Sequence, residues 1–203
     1  MKVGIGYCNE MDAMLSGRTV AEKAMADASI GQPGLVLAFC SGQLQHDEFF
    51  KGLRSVVGTD TPIVGGSAIG LITNDHLSYE GYPAGAAVIQ LDGIQCEVVS
   101  EGGLDVGEAQ VGKNIVNRFS KELNGKLLLI FYDSIKIPAT KSSPPVMNAS
   151  PLLISGLEET LNPNIPIIGA GLMGDFNFNR TKQFCGSYVS GQSTVGVMLS
   201  GDL

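Results

Sequence analysis

Arg180 stands in the run Phe176-Asn-Phe-Asn-Arg-Thr-Lys-Gln-Phe-Cys185, a few residues after a glycine-rich segment. A guanidinium beside bare backbone suits a two-pronged contact with a carboxylate or phosphate. Asp175, next to Gly174, could meet a ligand ammonium or pair with Arg180 as a structural ion pair. An earlier glycine segment, Gly65-Gly66-Ser67-Ala68-Ile69-Gly70, offers backbone N–H groups at Gly66 and Ala68 and the hydroxyl of Ser67 to an anion. A kink or bulge that bends a sheet is the alternative for the same residues. The segment is not a P-loop, since no Gly-Lys-Ser/Thr follows, nor a GxGxxG that opens a helix.

Two apolar runs end in polar residues, one at Ser41-Gly42 and the other at Asp133-Ser134. Strand ends of this kind line clefts in α/β proteins, and Tyr132 would add an aromatic wall with a hydroxyl. Asp133 could equally cap the loop that follows it. Ser67 and Cys40 are possible nucleophiles, but the sequence shows no base for either, and neither GxSxG nor HExxH is present. The chain therefore reads as a binding protein, not an enzyme, with a hydrolase using Ser67 or Cys40 as a third choice. His46 and His76 have no second ligand at metal spacing and read as surface residues. No cofactor is expected; a haem held by a single axial histidine is the alternative.

Positioning these groups requires an alternation of apolar runs and amphipathic segments. Residues 3–8 and 35–40 read as strands, and Asp12 as the cap of a helix reaching about residue 29. A second helix spans about 46–57, and a strand opening at 62–64 should break at the glycines that follow. Strands at 85–91 and 96–99 flank Asp92-Gly93, the signature of a tight hairpin. The order then recurs: a helix over 105–123, a strand at 127–132, a long loop at 137–150, and a helix over 151–161. Another glycine-interrupted strand starts at 166, and strands near 183–189 and 194–199 close the chain as a hairpin.

Thr61-Pro-Ile-Val-Gly-Gly-Ser-Ala-Ile-Gly70 aligns with Ile165-Pro-Ile-Ile-Gly-Ala-Gly-Leu-Met-Gly174, matching Pro62 with Pro166, Gly65 with Gly169 and Gly70 with Gly174. Agreement across a whole ordered unit indicates an internal duplication, with copies at about 3–93 and 94–201. The expected fold is α/β: two pseudo-symmetric β-α-β-α-β-β-β repeats forming mixed sheets flanked by helices in one domain over 1–203. A cleft between the copies is the natural ligand site.

Composition narrows the function. With 203 residues, 44% hydrophobic and 16% charged, the chain can bury a substantial core and is not disordered. A net charge of −7 disfavours nucleic acid and anionic membrane surfaces as partners. No apolar stretch approaches the roughly 18 residues needed to span a bilayer. Cys8, Cys40, Cys96 and Cys185 lie far apart in apolar runs, as reduced thiols in a cytoplasmic protein would.

Val3-Gly-Ile-Gly-Tyr7, Leu35-Val-Leu-Ala-Phe-Cys-Ser41, Phe131-Tyr-Asp133, Arg180-Thr-Lys-Gln-Phe184 and both glycine segments occur in an order and spacing that resembles the N-terminal FIST domain. The resemblance implies a ligand-binding sensory domain of prokaryotic signal transduction, found beside histidine kinase, chemotaxis-receptor and cyclic-dinucleotide modules. Such domains are thought to bind small molecules such as amino acids, and some bind haem and sense nitric oxide. Where the family often has Gly-Asp-Asp, this chain has Gly174-Asp175-Phe176. The resemblance carries no residue-level ligand map, so the site comes from the residues themselves. Arg180 with the backbone around Ser67 and Gly171 would hold the carboxylate of an amino acid, and Asp133 or Asp175 the ammonium. The loop at 137–150 could close over the ligand. Output would pass to a signalling partner or fused module, with a homodimer left open.

Overall fold

The computed structural model describes residues 1–202. Its first half runs β1 (Lys2–Asn9), α1 (Ala13–Asp27), β2 (Leu35–Ser41), α2 (His46–Val57), β3 (Ile63–Ala68), β4 (Leu71–Ile72), β5 (Leu77–Ser78) and β6 (Pro83–Gln90). The second half begins with β7 (Ile94–Gly102), α3 (Glu108–Arg118), β8 (Gly125–Asp133), β9 (Ile135–Ile137) and β10 (Val146–Met147). It continues through α4 (Ser150–Glu158), β11 (Ile167–Leu172), β12 (Gln183–Gly186), β13 (Val189–Ser190) and β14 (Ser193–Gly201).

Two mixed sheets carry the fold, one ordered β1-β6-β2-β3-β12-β13 and the other β11-β8-β14-β7. Within them the runs β1-β6-β2-β3 and β7-β14-β8-β11 share one construction. In each, the first strand is antiparallel to the last, the last is antiparallel to the second, and the second is parallel to the third. The helices also match. Helices α1 and α2 touch where a Cβ on Gly17 would collide with the Phe49 carbonyl, and one on Gly52 with that of Met14. Helices α3 and α4 touch in the same way, through Gly112 at the Leu153 carbonyl and Gly156 at that of Ala109.

Alternation along each strand divides the apolar residues among three layers. Val36 and Ala38 face α1 and α2, together with Val20, Ala24, Phe49 and Leu53. Leu128 and Ile130 face α3 and α4, with Val111, Ile115, Leu153 and Leu157. Between the sheets lie Leu35, Val64, Cys185, Val195 and Val197. Asp12 caps α1 as its position predicts, its carboxylate accepting from the Leu15 N–H at 2.9 Å.

Several local expectations are corrected. Strand β3 does not break at Gly65-Gly66; it runs through them, because a neighbouring backbone occupies the place of each missing side chain. A Cβ on Gly65 would strike the Ala38 carbonyl of β2, and one on Gly66 (φ +144°) the Lys182 carbonyl beside β12. The Asp92-Gly93 turn does not close a hairpin: β6 lies between β1 and β2, so β7 crosses to the other sheet and pairs with β14. The final pair separates likewise, β12 joining the first sheet and β14 the second. The segment expected as a long loop at 137–150 carries β10, which pairs antiparallel with β9 at its start. All four cysteines are free thiols, Cys96 only partly buried.

Candidate ligand-binding site

The expected residues fall into groups with different surroundings. Ser67 is 1% exposed, and its hydroxyl is hydrogen-bonded to His46 Nε2 at 2.8 Å. The same oxygen accepts the Lys182 N–H at 2.9 Å, tying β3 to the segment that enters β12. His46 is thus a buried residue, not a surface one, and burial, with a smaller contribution from Lys182, pushes its pKa down to about 4. A serine–histidine pair is the geometry of an activated nucleophile, but here both partners join structural elements. Burial likewise drives the Cys40 thiol far above its ordinary range. His76 is exposed and stacks on Tyr7 with ring centroids 4.2 Å apart.

Where the strand ends of the two halves meet, the backbone is packed shut. The Gly42 N–H donates to the Gly174 carbonyl at 2.9 Å, and a Cβ on Gly174 would stand 2.9 Å from Gly42 Cα and 3.2 Å from Ser67 Cβ. Ser41 is buried there, its hydroxyl accepting the Gln43 N–H at 3.3 Å, while Gly66 lies under β12 and Ala68 is half-buried. Asp133 is 1% exposed and accepts from the Thr181 hydroxyl, the Ile135 N–H (3.0 Å) and the Gln192 N–H (3.0 Å). Desolvation raises its pKa against those hydrogen bonds. Asp175 accepts from the Asn177 and Asn179 N–H groups inside its own loop, and Arg180 is exposed.

Tyr132 and Gly171 lie elsewhere, on the wall of a cavity of about 730 Å³ between β11 and α4. Its lining runs from Ile130 to Gly171, all from the second half, and not from a cleft between the halves. Leu153, Ile154 and Ile167 supply apolar walls, and Ser150, Glu158, Asn162 and Tyr132 the polar side chains. A volume of this size suits a small organic ligand.

The first half shows what fills the equivalent space. There Phe184 of β12 lies opposite Gly65 and packs its ring against Phe49 (5.8 Å), Phe50 (5.5 Å) and His46 (6.2 Å) of α2. Leu153, Ile154 and Ser150 hold the matching places on α4, as the Gly17–Phe49 and Gly112–Leu153 contacts establish. The cavity is therefore the second-half counterpart of the seat of Phe184.

The strand edges differ in the same way. The Val36 N–H donates to the Pro62 carbonyl, and the Leu128 N–H to that of Pro166. Peptide groups alternate in direction along a strand, so residues 63, 65 and 67 of β3 point toward β12. By the same rule Ile167, Gly169 and Gly171 turn their N–H and C=O groups away from β8. Among the described residues β11 is bonded to β8 alone, and Ile168 through Gly171 are exposed. The Ser67 N–H meets the Lys182 carbonyl at 2.9 Å; its counterpart on Gly171 faces open space at the cavity mouth.

Sequence reasoning missed Ser150, Leu153, Ile154 and Glu158. Their signal was that Leu153-Ile154 stand in the second half where Phe49-Phe50 stand in the first, which withdraws aromatic volume from one site. No helix among the described residues is long and apolar enough to cross a membrane. No curated protein matches the chain. The FIST N domain model matches residues 34–203, and the chain belongs to this family of sensory domains of signal transduction.

Proposed function

We propose that this sensory domain binds an amino acid or a related small carboxylate in the cavity between β11 and α4. The observation that carries the reading is the cavity itself, preformed beside a strand edge whose N–H groups are free. The outward N–H groups of Gly169 and Gly171 would receive the carboxylate. Glu158 would meet an ammonium group, and Tyr132 and Ser150 would add hydroxyl contacts. Apolar walls at Leu153 and Ile167 would take the side chain. Signal would arise because ligand favours one arrangement of β11 and α4 over another, and a partner or fused module such as a histidine kinase, chemotaxis receptor or cyclic-dinucleotide enzyme would read it. The free thiols suit a reducing compartment, so sensing would take place in the cytoplasm.

The test is thermal unfolding against amino acids, other small carboxylates and haemin, repeated with Ile154→Trp, which fills the cavity from a partly exposed position. A ligand at a hundred times its dissociation constant should add about 2.7 kcal/mol, or roughly 5–10 °C. Ile154→Trp should remove that shift while leaving the unliganded midpoint within a few degrees. A flat panel, or a shift that survives the tryptophan, would overturn the reading.

A further inference from the structure

We infer that β11 and the cavity beside it accept an extended peptide segment, which adds antiparallel to the strand edge and plants an aromatic side chain between β11 and α4. This deepens the proposed function by naming a ligand class for the same cavity, and it rests on that cavity being the sensing site.

The template is in the molecule. On β3, the segment Gln183–Gly186 runs antiparallel in the register Gln183↔Gly66, Phe184↔Gly65, Cys185↔Val64, Gly186↔Ile63. Its backbone takes the outward peptide groups of β3, and its phenylalanine fills the space over α2. Strand β11 presents the same outward groups at Ile167, Gly169 and Gly171, and the space over α4 is vacant. An unpaired strand edge with a pocket for an alternate side chain is the general means by which proteins hold extended peptides. Main-chain pairing supplies affinity, and the pocket selects the residue.

A difference in charge sharpens the specificity. In the first half Arg54 of α2 donates to the carbonyls of Thr61 and Gly186, the latter two residues beyond the phenylalanine. The corresponding position on α4 is Glu158, an acceptor on the cavity rim. A peptide with a basic residue two positions after its aromatic anchor therefore suits this edge, and an acidic one does not.

The probe is the peptide Thr-Lys-Gln-Phe-Ser-Lys-Ser-amide, built on residues 181–187 with Cys185→Ser and Gly186→Lys and carrying a fluorophore on its N-terminal amine in place of an acetyl cap. Anisotropy titration of the whole protein should show saturable binding. Alanine in place of the phenylalanine should weaken it at least tenfold, as should glutamate in place of the second lysine. N-methylation of the phenylalanine amide, which blocks the bond opposite Gly169, should abolish it, and Ile154→Trp should do the same. No saturable binding, or equal binding of the alanine and N-methyl peptides, overturns the inference. If free amino acids shift the melting midpoint and the peptide does not bind, the inference falls and the small-ligand reading stands; if neither binds, both fall. A dimer whose dissociation is required before the peptide binds would make a second copy the occupant and also overturn it.

Discussion

The edges of β3 and β11 are alike up to the point where a neighbour arrives. Each follows a proline whose carbonyl accepts from the strand before it, and each carries a glycine against which a neighbouring carbonyl lies. On β3 the next strand is present, and every feature around it is closed. Ser67 is bonded, His46 is buried, and Phe184 fills the space over the helix. On β11 no such strand pairs among the described residues, and the equivalent places hold Gly171, Ser150 and a cavity. The same construction is closed where a further strand completes it and open where none of the described residues does.

The largest expected effect is at the completed edge. Phe184→Ala should cost about 3–5 kcal/mol in urea unfolding, because a fully buried ring leaves a void. Ile168→Ala on the open edge, where that side chain is 59% exposed, should cost less than about 0.5 kcal/mol. Comparable costs would mean that β12 contributes little to holding the first sheet.

Next comes the pair Gly66 and Ala170, which correspond in the two strands. Gly66→Ala forces a Cβ into the Lys182 carbonyl at a φ of +144° and should cost about 2–4 kcal/mol. Ala170→Gly gains only chain freedom and should cost at most about 1 kcal/mol. A Gly66→Ala variant as stable as the parent would show that the two edges are not distinguished by the strand beside them.

The smallest effect reads the buried imidazole. Because the folded-state pKa of His46 is held near 4, below the ordinary 6.5, the unfolded chain binds a proton in that interval and the folded chain does not. The contribution is therefore intact above about pH 6.5 and is lost as the pH falls toward about 4, by on the order of 1–3 kcal/mol. The difference between the parent and His46→Gln, measured by urea unfolding from pH 7 to pH 4, should narrow across that window. A constant difference would place His46 outside the linkage between β3 and β12.

The strands, the capped first helix and the helix carrying Phe49 were legible because their apolar spacing and the Asp12 cap act within a few residues. Pro62 with Pro166 and Gly65 with Gly169 could be matched because each stands at the same place in a similar short run. What lay beyond reach was decided by distant partners. His46 looked like a surface residue because Ser67, which buries it, lies 21 positions away. Asp92-Gly93 has the chemistry of a hairpin turn, but β6 already has β1 and β2 on its two sides. The cavity was hidden because it lies between β11 and α4, whose facing residues meet only in the fold. Tyr132 and Gly171 were reached from strand-end reasoning, and Leu153 and Ile154 required the two halves to be laid over each other in space.

The bond between Ser67 and Lys182 joins residues 115 apart in the chain. A ribosome must therefore reach residue 182 before the first sheet can be sealed, and until then the outer border of β3 stays naked in the nascent chain. Truncation before residue 181 would leave that condition permanent, and such fragments should clump instead of folding as half-sized units. Delivery of β12 is in this sense the sealing step of biogenesis, and the first half depends on residues translated 115 positions later to become safe from its neighbours.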